Sequence, residues 1–250
     1  MSRFGLIGQS LKHSFSKQYF TDFFEKENLP HSYSNYEMEN LEGLRELIQR
    51  EQLSGLNVTI PFKEDVLKVL DEIDPTAKEI GAVNVIKVEN GKLIGYNTDH
   101  IGFEKSLLDS LGNDGGSLSG VEVPRKALVL GTGGASKAII YSLKNNGIDL
   151  IQVSRATSQT SITYEDLTEQ SIVNHQLIIN CTPLGTFPNV EDKPKIPYAG
   201  IGSDHILYNL VYNPPETAFL KEGKIRGATI LNGGEMLRIQ AAESWRIWNK

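Results

Sequence analysis

The chain has 250 residues, enough for one large domain or two modest ones, and its 39% hydrophobic and 22% charged content is that of a folded globular protein. With 25 basic and 31 acidic residues the net charge is −6, which argues against a general nucleic-acid binder while leaving room for a local anion site. The single cysteine, Cys181, excludes an internal disulfide and a cysteine-built metal site, and no apolar run reaches the length of a membrane span. The N-terminal MSRFGLIGQSLKHSFS reads as a strand and a polar loop rather than a leader, so a cytoplasmic location is the expectation.

Short apolar runs alternate with amphipathic segments, the pattern of an α/β chain. FGLIG (4–8) is a first strand. Ser16 stands before Tyr19, Phe20, Phe23 and Phe24, whose i, i+3, i+4 spacing predicts a helix capped by that serine. Leu41, Leu44, Leu47 and Ile48 predict a second helix. LNVTI (56–60) reads as a strand with Leu56, Val58 and Ile60 on one face and Asn57 and Thr59 on the other. Pro61 ends it, and Val66, Leu67, Val69 and Leu70 predict a helix beginning near Lys63. GAVNVIKVENGKLIGYNTD predicts two strands joined at Glu89-Asn90-Gly91. Ile101, Leu107, Leu108 and Leu111 then mark one face of a helix that Gly112 ends.

Composition changes at GNDGGSLSG (112–120), a turn-rich stretch expected to bulge from the surface before Pro124 and a new unit. KALVLG, the helix opened by GTGGAS, and LIQVSR make a βαβ unit. LIINCTPLGT and HILYNLVYN supply two more strand-plus-loop units, and a long helix follows Gly233-Gly234. There is no internal repeat.

The glycines of GTGGAS, with Ala135 and Ser136 after Gly131, Gly133 and Gly134, let the chain turn tightly and bring free helix-start N–H groups against a pyrophosphate. In this strand–turn–helix context the motif predicts nucleotide binding. Enzymes choosing NAD place an acidic residue about 20 residues beyond the first glycine; at the end of the next strand this chain has Ser154-Arg155, and a guanidinium suits a phosphate, so NADP is the expected cofactor. The histidines His13, His31, His100, His175 and His205 have no ligand spacing, and no metal is expected. The remaining polar residues gather at predicted strand ends and helix starts: Ser14 and Ser16, then Asn57, Thr59 and Lys63, then Asn84, then Asn97, Thr98 and Asp99. Singly, each has an ordinary reading, as a helix cap, a turn residue or a solvated strand tip. Together, beside a nucleotide module, they read as a cleft for a small polyhydroxylated acid.

SLKHSFS, NVTIPFKE, GAVN, YNTD, GTGGAS and a late Gln240 in MLRIQAA occur in this order in shikimate dehydrogenases, and the chain resembles that family over essentially its whole length. The resemblance implies two α/β domains: a substrate domain (1–100 and 236–250) and a Rossmann-like NADP domain (101–235), with the terminal helix returning to the first. It also implies NADPH-dependent reduction of 3-dehydroshikimate to shikimate, on the route to chorismate and the aromatic amino acids. Carried over residue by residue, Lys63 and Asp99 would be the catalytic pair. Ser14 and Ser16 would hold the substrate carboxylate with Tyr212 closing over it, and Asn57, Thr59, Asn84 and Gln240 would hold ring hydroxyls and their neighbours. The cofactor would lie on Gly131, Gly133, Gly134, Ala135 and Ser136, with Ser154 and Arg155 at its 2′-phosphate and Thr182 and Gly233 on the nicotinamide side. The implied partners are small molecules, with neither nucleic acid nor membrane, and a homodimer is the candidate assembly. Three positions depart from the family pattern: a single arginine, with Gln159 where a second often stands; Gly233-Gly234-Glu235-Met236 before the last helix; and Asn209 in place of a common aspartate. An NAD-linked quinate enzyme, a methylene-tetrahydrofolate dehydrogenase and an NADP-binding sensor without turnover are the competing readings.

Overall fold

A computed structural model describes residues 1–12, 14–112 and 124–250. Residue 13 and most of the turn-rich stretch expected at 112–120 therefore lie outside the described residues. The chain divides into two compact units, Met1–Ile101 with Leu237–Lys250, and Gly102–Met236.

The first unit opens with β1 (Arg3–Gly8), α1 (Phe15–Lys26), β2 (Ser32–Glu37), α2 (Leu44–Glu51) and β3 (Leu53–Val58). It continues through β4 (Glu72–Ile73), α3 (Pro75–Ile80), β5 (Val85–Glu89) and β6 (Lys92–Tyr96) to the start of α4 (Asp99–Ser110). Its sheet has the order β2-β1-β3-β5-β6-β4, and β5 alone runs antiparallel to its neighbours β3 and β6. Asn90 (φ 52°) and Gly91 (φ 78°) form the β5–β6 hairpin turn, where a primed turn needs both central residues left-handed. The last helix of the chain, α8 (Gly234–Trp248), gives most of its length to this unit. Trp248 anchors it: its indole Nε1 donates to Ile86 O at 3.0 Å, and Phe4 stacks on it with centroids 4.6 Å apart. Gly55 permits that approach, since a Cβ there would stand 2.3 Å from the indole nitrogen.

Three expectations for this unit are corrected. Ser14, not Ser16, caps α1: its Oγ accepts from Lys17 N, and Ser16 already lies inside the first turn. The third strand stops at Val58, although Thr59 N still donates to Ile7 O at 3.0 Å. No α-helix follows Pro61; a turn leads into a single 3₁₀ turn, Asp65–Lys68. The β-branched Val66 and Val69 disfavour a longer helix, and Asp71 is drawn onto β6, its N–H donating to Leu93 O and its carboxylate accepting from Leu93 N. With β4 pairing there at once, no length remains for further turns.

The second unit carries the rest of α4, then β7 (Lys126–Leu130), α5 (Gly134–Asn145), β8 (Asp149–Ser154), β9 (Ser161–Thr163), α6 (Glu169–Val173) and β10 (Leu177–Asn180). After it come β11 (Ile206–Asn209), α7 (Ala218–Ile225) and β12 (Thr229–Asn232). Every pairing in this sheet is parallel, in the order β12-β11-β10-β7-β8-β9. That is the doubly wound dinucleotide-binding order, with its reversal between β7 and β10, and ligands of such sheets bind where the order reverses. Leu128, Leu130, Ile178 and Leu207 are fully buried, as expected of parallel strands covered on both faces.

Candidate active site

Lys63 sits in the turn after β3, its carbonyl accepting from Val83 N at 2.7 Å, and Asp99 is the first residue of α4. Lys63 Nζ lies 2.7 Å from Asp99 Oδ2, with the two side chains 14% and 2% exposed. A pair so buried persists only if its remaining valences are met. Asn84, on the approach to β5, meets them: its Nδ2 donates to Asp99 Oδ1 at 2.9 Å and lies 3.0 Å from Thr98 Oγ1 and 2.7 Å from Gln240 Oε1. Its Oδ1 accepts from Thr98 N at 2.7 Å, and because an amide N–H can only donate, the orientation of the Asn84 side chain is set. Asn97 steers Asp99, its Oδ1 accepting from Asp99 N at 3.0 Å and its Nδ2 donating to Ala82 O at 2.9 Å. The ammonium gives one hydrogen to Asp99 and has no further partner among the described residues. A cation with donors to spare beside an oriented carboxylate can stabilise negative charge growing on an oxygen, or pass it a proton.

Lys63, Asn84, Asp99 and Gln240 are thus brought together. Asn57 joins them from β3 through a 3.4 Å bond from its Nδ2 to Asn84 O. Thr59 is half-buried at the end of β3, so close to β1 that a Cβ on Gly8 would stand 2.6 Å from its Cγ2. Burial pushes the pKa of the Tyr33 phenol well above the ordinary tyrosine range, with the Ser16 hydroxyl acting the other way. Ser14 borders a cavity of about 660 Å³ lined also by Leu11, Lys12, Lys17, Asn35 and Glu37, a wall that includes neither Lys63 nor Asp99. Sequence reasoning missed Tyr33 and Ser244. The second carried a signal: it stands four residues after Gln240, on the same face of α8.

In the second unit Gly131 ends β7 with φ 113°, a conformation that favours glycine, and a Cβ there would stand 3.2 Å from Thr182 Cγ2. The turns after β7 and β10 therefore meet at the reversal of strand order. Gly133 caps α5 without any side-chain hydrogen bond to the first-turn N–H groups, and a Cβ added to it would meet nothing within 4 Å. Gly134 and Ala135 follow in that open first turn. These features fit a dinucleotide: unclaimed helix-start N–H groups beneath an open surface suit its phosphates. Ser136 is buried with its hydroxyl donating to Gly133 O at 2.7 Å, so what it offers a ligand is its backbone N–H. Ser154 spends its hydroxyl within its own turn, on Ala156 and Ser161. Arg155 beside it is exposed and has no ion pair among the described residues, which fits a phosphate partner. Thr182 Oγ1 donates to Asn180 Oδ1 at 2.6 Å, and Asn180 Nδ2 in turn donates to Asn209 Oδ1 at 3.0 Å. Gly233 is demanded by packing, since a Cβ would stand 2.1 Å from Leu210 O. Tyr212 follows β11 in this unit. Burial of its sulfur pushes the Cys181 thiol up, which favours the protonated form. Among the described residues no cluster could hold a metal ion, and no helix is long and apolar enough to cross a membrane.

Residues 6–86 match the family model described as the shikimate dehydrogenase substrate binding domain. A shikimate dehydrogenase (NADP(+)) of Methanococcus maripaludis is 38% identical over 260 residues, covering 98% of this chain and 90% of that one. Among solved structures, shikimate dehydrogenase 1 from Peptoclostridium difficile is 38% identical with a TM-score of 0.85, covering 100% of this chain and 92% of that one. The Thermus thermophilus shikimate 5-dehydrogenase in complex with NADP(H) and shikimate is 30% identical with a TM-score of 0.83, covering 99% and 93%.

Proposed function

The chain belongs to the shikimate dehydrogenase family, and from that premise we propose which of its residues carry the reaction. It is an NADP-dependent oxidoreductase acting on a CH–OH group, interconverting 3-dehydroshikimate and shikimate. The observation that carries the assignment is the 2.7 Å Lys63–Asp99 contact with its spare ammonium hydrogens. In the proposed scheme the first unit binds substrate and the second binds NADP, which supplies the hydride when bound. Charge developing on the ring oxygen is met by Lys63, which gives it a proton, while Asp99 holds the ammonium in place. In the oxidising direction the same pair accepts the hydroxyl proton.

Ser14 and Ser16 take the carboxylate, and Thr59 and Gln240 take ring hydroxyls. Asn84 has three acceptors around an amino group with two hydrogens, so one contact can be exchanged for substrate. The α5 N-terminus at Gly133, Gly134, Ala135 and Ser136 holds the pyrophosphate, Arg155 the 2′-phosphate, and Gly131 and Thr182 border the nicotinamide end with Gly233. The enzyme acts on free small molecules in the cytoplasm. Purified protein offered shikimate or quinate, each with NADP or NAD, tests this by nicotinamide absorbance. Shikimate with NADP is expected to turn over fastest. Equal turnover of quinate with NAD would remove the substrate and cofactor assignments together.

A further inference from the structure

Two side chains outside the reacting cluster meet on one amide. Tyr33 Oη on β2 donates to Asn57 Oδ1 at 2.7 Å. Asn57 Nδ2 donates to Ser244 Oγ on α8 at 2.9 Å and to Asn84 O at 3.4 Å, and Ser244 Oγ donates to Gln240 O at 2.8 Å. Every direction in this chain of bonds is forced. The carbonyls of Asn84 and Gln240 can only accept, so the Asn57 amino group must face Asn84 and the Ser244 proton must face Gln240; the phenol proton is then left for Asn57 Oδ1. Tyr33 is 5% exposed, Asn57 6% and Ser244 0%. Both amino hydrogens of Asn57 are spent on protein, one on Ser244 Oγ and one on the Asn84 carbonyl, which also accepts from Val58 N at 2.8 Å.

The far end of this chain of bonds reaches the reacting pair. The Gln240 carbonyl that Ser244 holds also accepts from Thr98 Oγ1 at 3.1 Å. The Gln240 side chain accepts from Asn84 Nδ2 at 2.7 Å, and the same amino group donates to Asp99 Oδ1 at 2.9 Å.

We propose that Tyr33 and Ser244 are positioning residues for the reaction. Through Asn57 and the Gln240 carbonyl they hold the turn of α8 from which Gln240 keeps Asn84 aligned on Asp99. Neither touches the reacting atoms. Their effect reaches the carboxylate through three oriented amides, those of Asn57, Gln240 and Asn84. This rests on the reading of Lys63 and Asp99 as the reacting pair.

The test is a double-variant cycle in the full chain with Tyr33→Phe and Ser244→Ala. Steady-state constants for shikimate are measured at saturating NADP, well below the melting temperature of each variant. Each single change is expected to lower kcat roughly tenfold, the usual scale for one lost buried hydrogen bond, with KM moved by less than about threefold. Because both act on the same amide, the double variant should be no slower than the slower single. Ser244→Thr, which keeps the hydroxyl, should recover most of the loss. Wild-type kcat in both singles despite lowered melting temperatures would overturn the proposal, as would losses that multiply in the double variant. Should Ser244→Ala fail to fold, Tyr33→Phe decides alone, since it keeps the ring that lies 4.6 Å from Phe20, and a normal kcat there overturns the inference. Lys63→Ala separates the two readings: if it stays active the reacting pair is misassigned, whereas an inactive Lys63→Ala beside a normal Tyr33→Phe overturns the positioning role alone.

Discussion

The two units make their sites from different material. Around Lys63 and Asp99 the candidate site is made of side chains, drawn from Asn57 on β3, Asn84 before β5, Thr98 ahead of α4 and Gln240 on α8, each amide oriented by a partner that can only donate or only accept. Around Gly131 it is made of main chain: a left-handed glycine, an uncapped helix start and an open surface, all within a few consecutive residues. The contrast teaches where each site is vulnerable. A side-chain site loses chemistry when one functional group goes. A backbone site keeps its N–H groups through most substitutions and loses selectivity only at its charged edge.

The largest effect should come from the first unit. Lys63→Ala is expected to lower kcat by about 10²–10⁴-fold, the range of general acid–base groups, with KM changed less and NADP affinity unchanged. Stopped-flow turnover beside fluorescence titration of the cofactor checks both halves. A variant within a few-fold of wild type would take Lys63 out of the mechanism.

Next comes the charged edge of the second unit. Arg155→Ala removes one charge-assisted hydrogen bond, worth roughly 1.5–3 kcal/mol, so NADP affinity should fall about ten- to a hundred-fold. The values for NAD should stay put, because NAD carries no phosphate there. As Arg155 is exposed, the preference for NADP should shrink as salt rises. If both cofactors weaken equally, Arg155 serves the loop rather than the phosphate.

Ser14 and Ser16 offer a finer division within the first unit, because only Ser14 caps α1. Ser14→Ala should lose about 1 kcal/mol of stability as well as raise KM for shikimate. Ser16→Ala should raise KM severalfold without the capping loss. Melting curves beside KM values decide it, and a Ser16 variant with normal KM would leave carboxylate binding to Ser14.

The smallest effect is common to both units. Burial raises the phenol pKa of Tyr33 in the first and Tyr208 in the second, with the Ser16 and Ser106 hydroxyls acting the other way. In the unfolded chain these phenols ionise near pH 10, while in the fold they stay protonated, so the unfolded state sheds protons first. Stability should be fully present below about pH 10 and fall as pH rises beyond it. Tyr33→Phe should flatten that alkaline decline, and an unchanged slope would assign it to other groups.

Much of the second unit is legible in the sequence because its signals are local. GTGGAS between an apolar strand and an amphipathic helix announces its own turn, and Arg155 announces itself at the next strand end. The hairpin at Asn90-Gly91 is legible for the same reason. The short elements are less so. The segment Asp74-Pro75 opens α3 with a capping aspartate and a proline at its first turn, a local signal that went unread. The helix expected after Pro61 fails because the pairing of β4 with β6 claims the chain, and no periodicity within 66–70 reports that pairing.

For the candidate site, residue types at predicted strand ends and helix starts were enough to bring Lys63, Asn84 and Asp99 under suspicion and to connect them with a polyhydroxylated acid and a phosphorylated dinucleotide, while Gln240 came in only with the family resemblance. Which side chains touch, and in which direction each hydrogen bond runs, was decided only by the fold. Gln240 lies 156 positions from Asn84, and Ser244 lies 187 from Asn57. Contacts that distant depend on how α8 lies on the first sheet, held by Trp248 against Gly55. Backbone conformation is a property of neighbours in sequence, so a glycine turn can be read from the chain. The orientation of a buried amide is a property of neighbours in space.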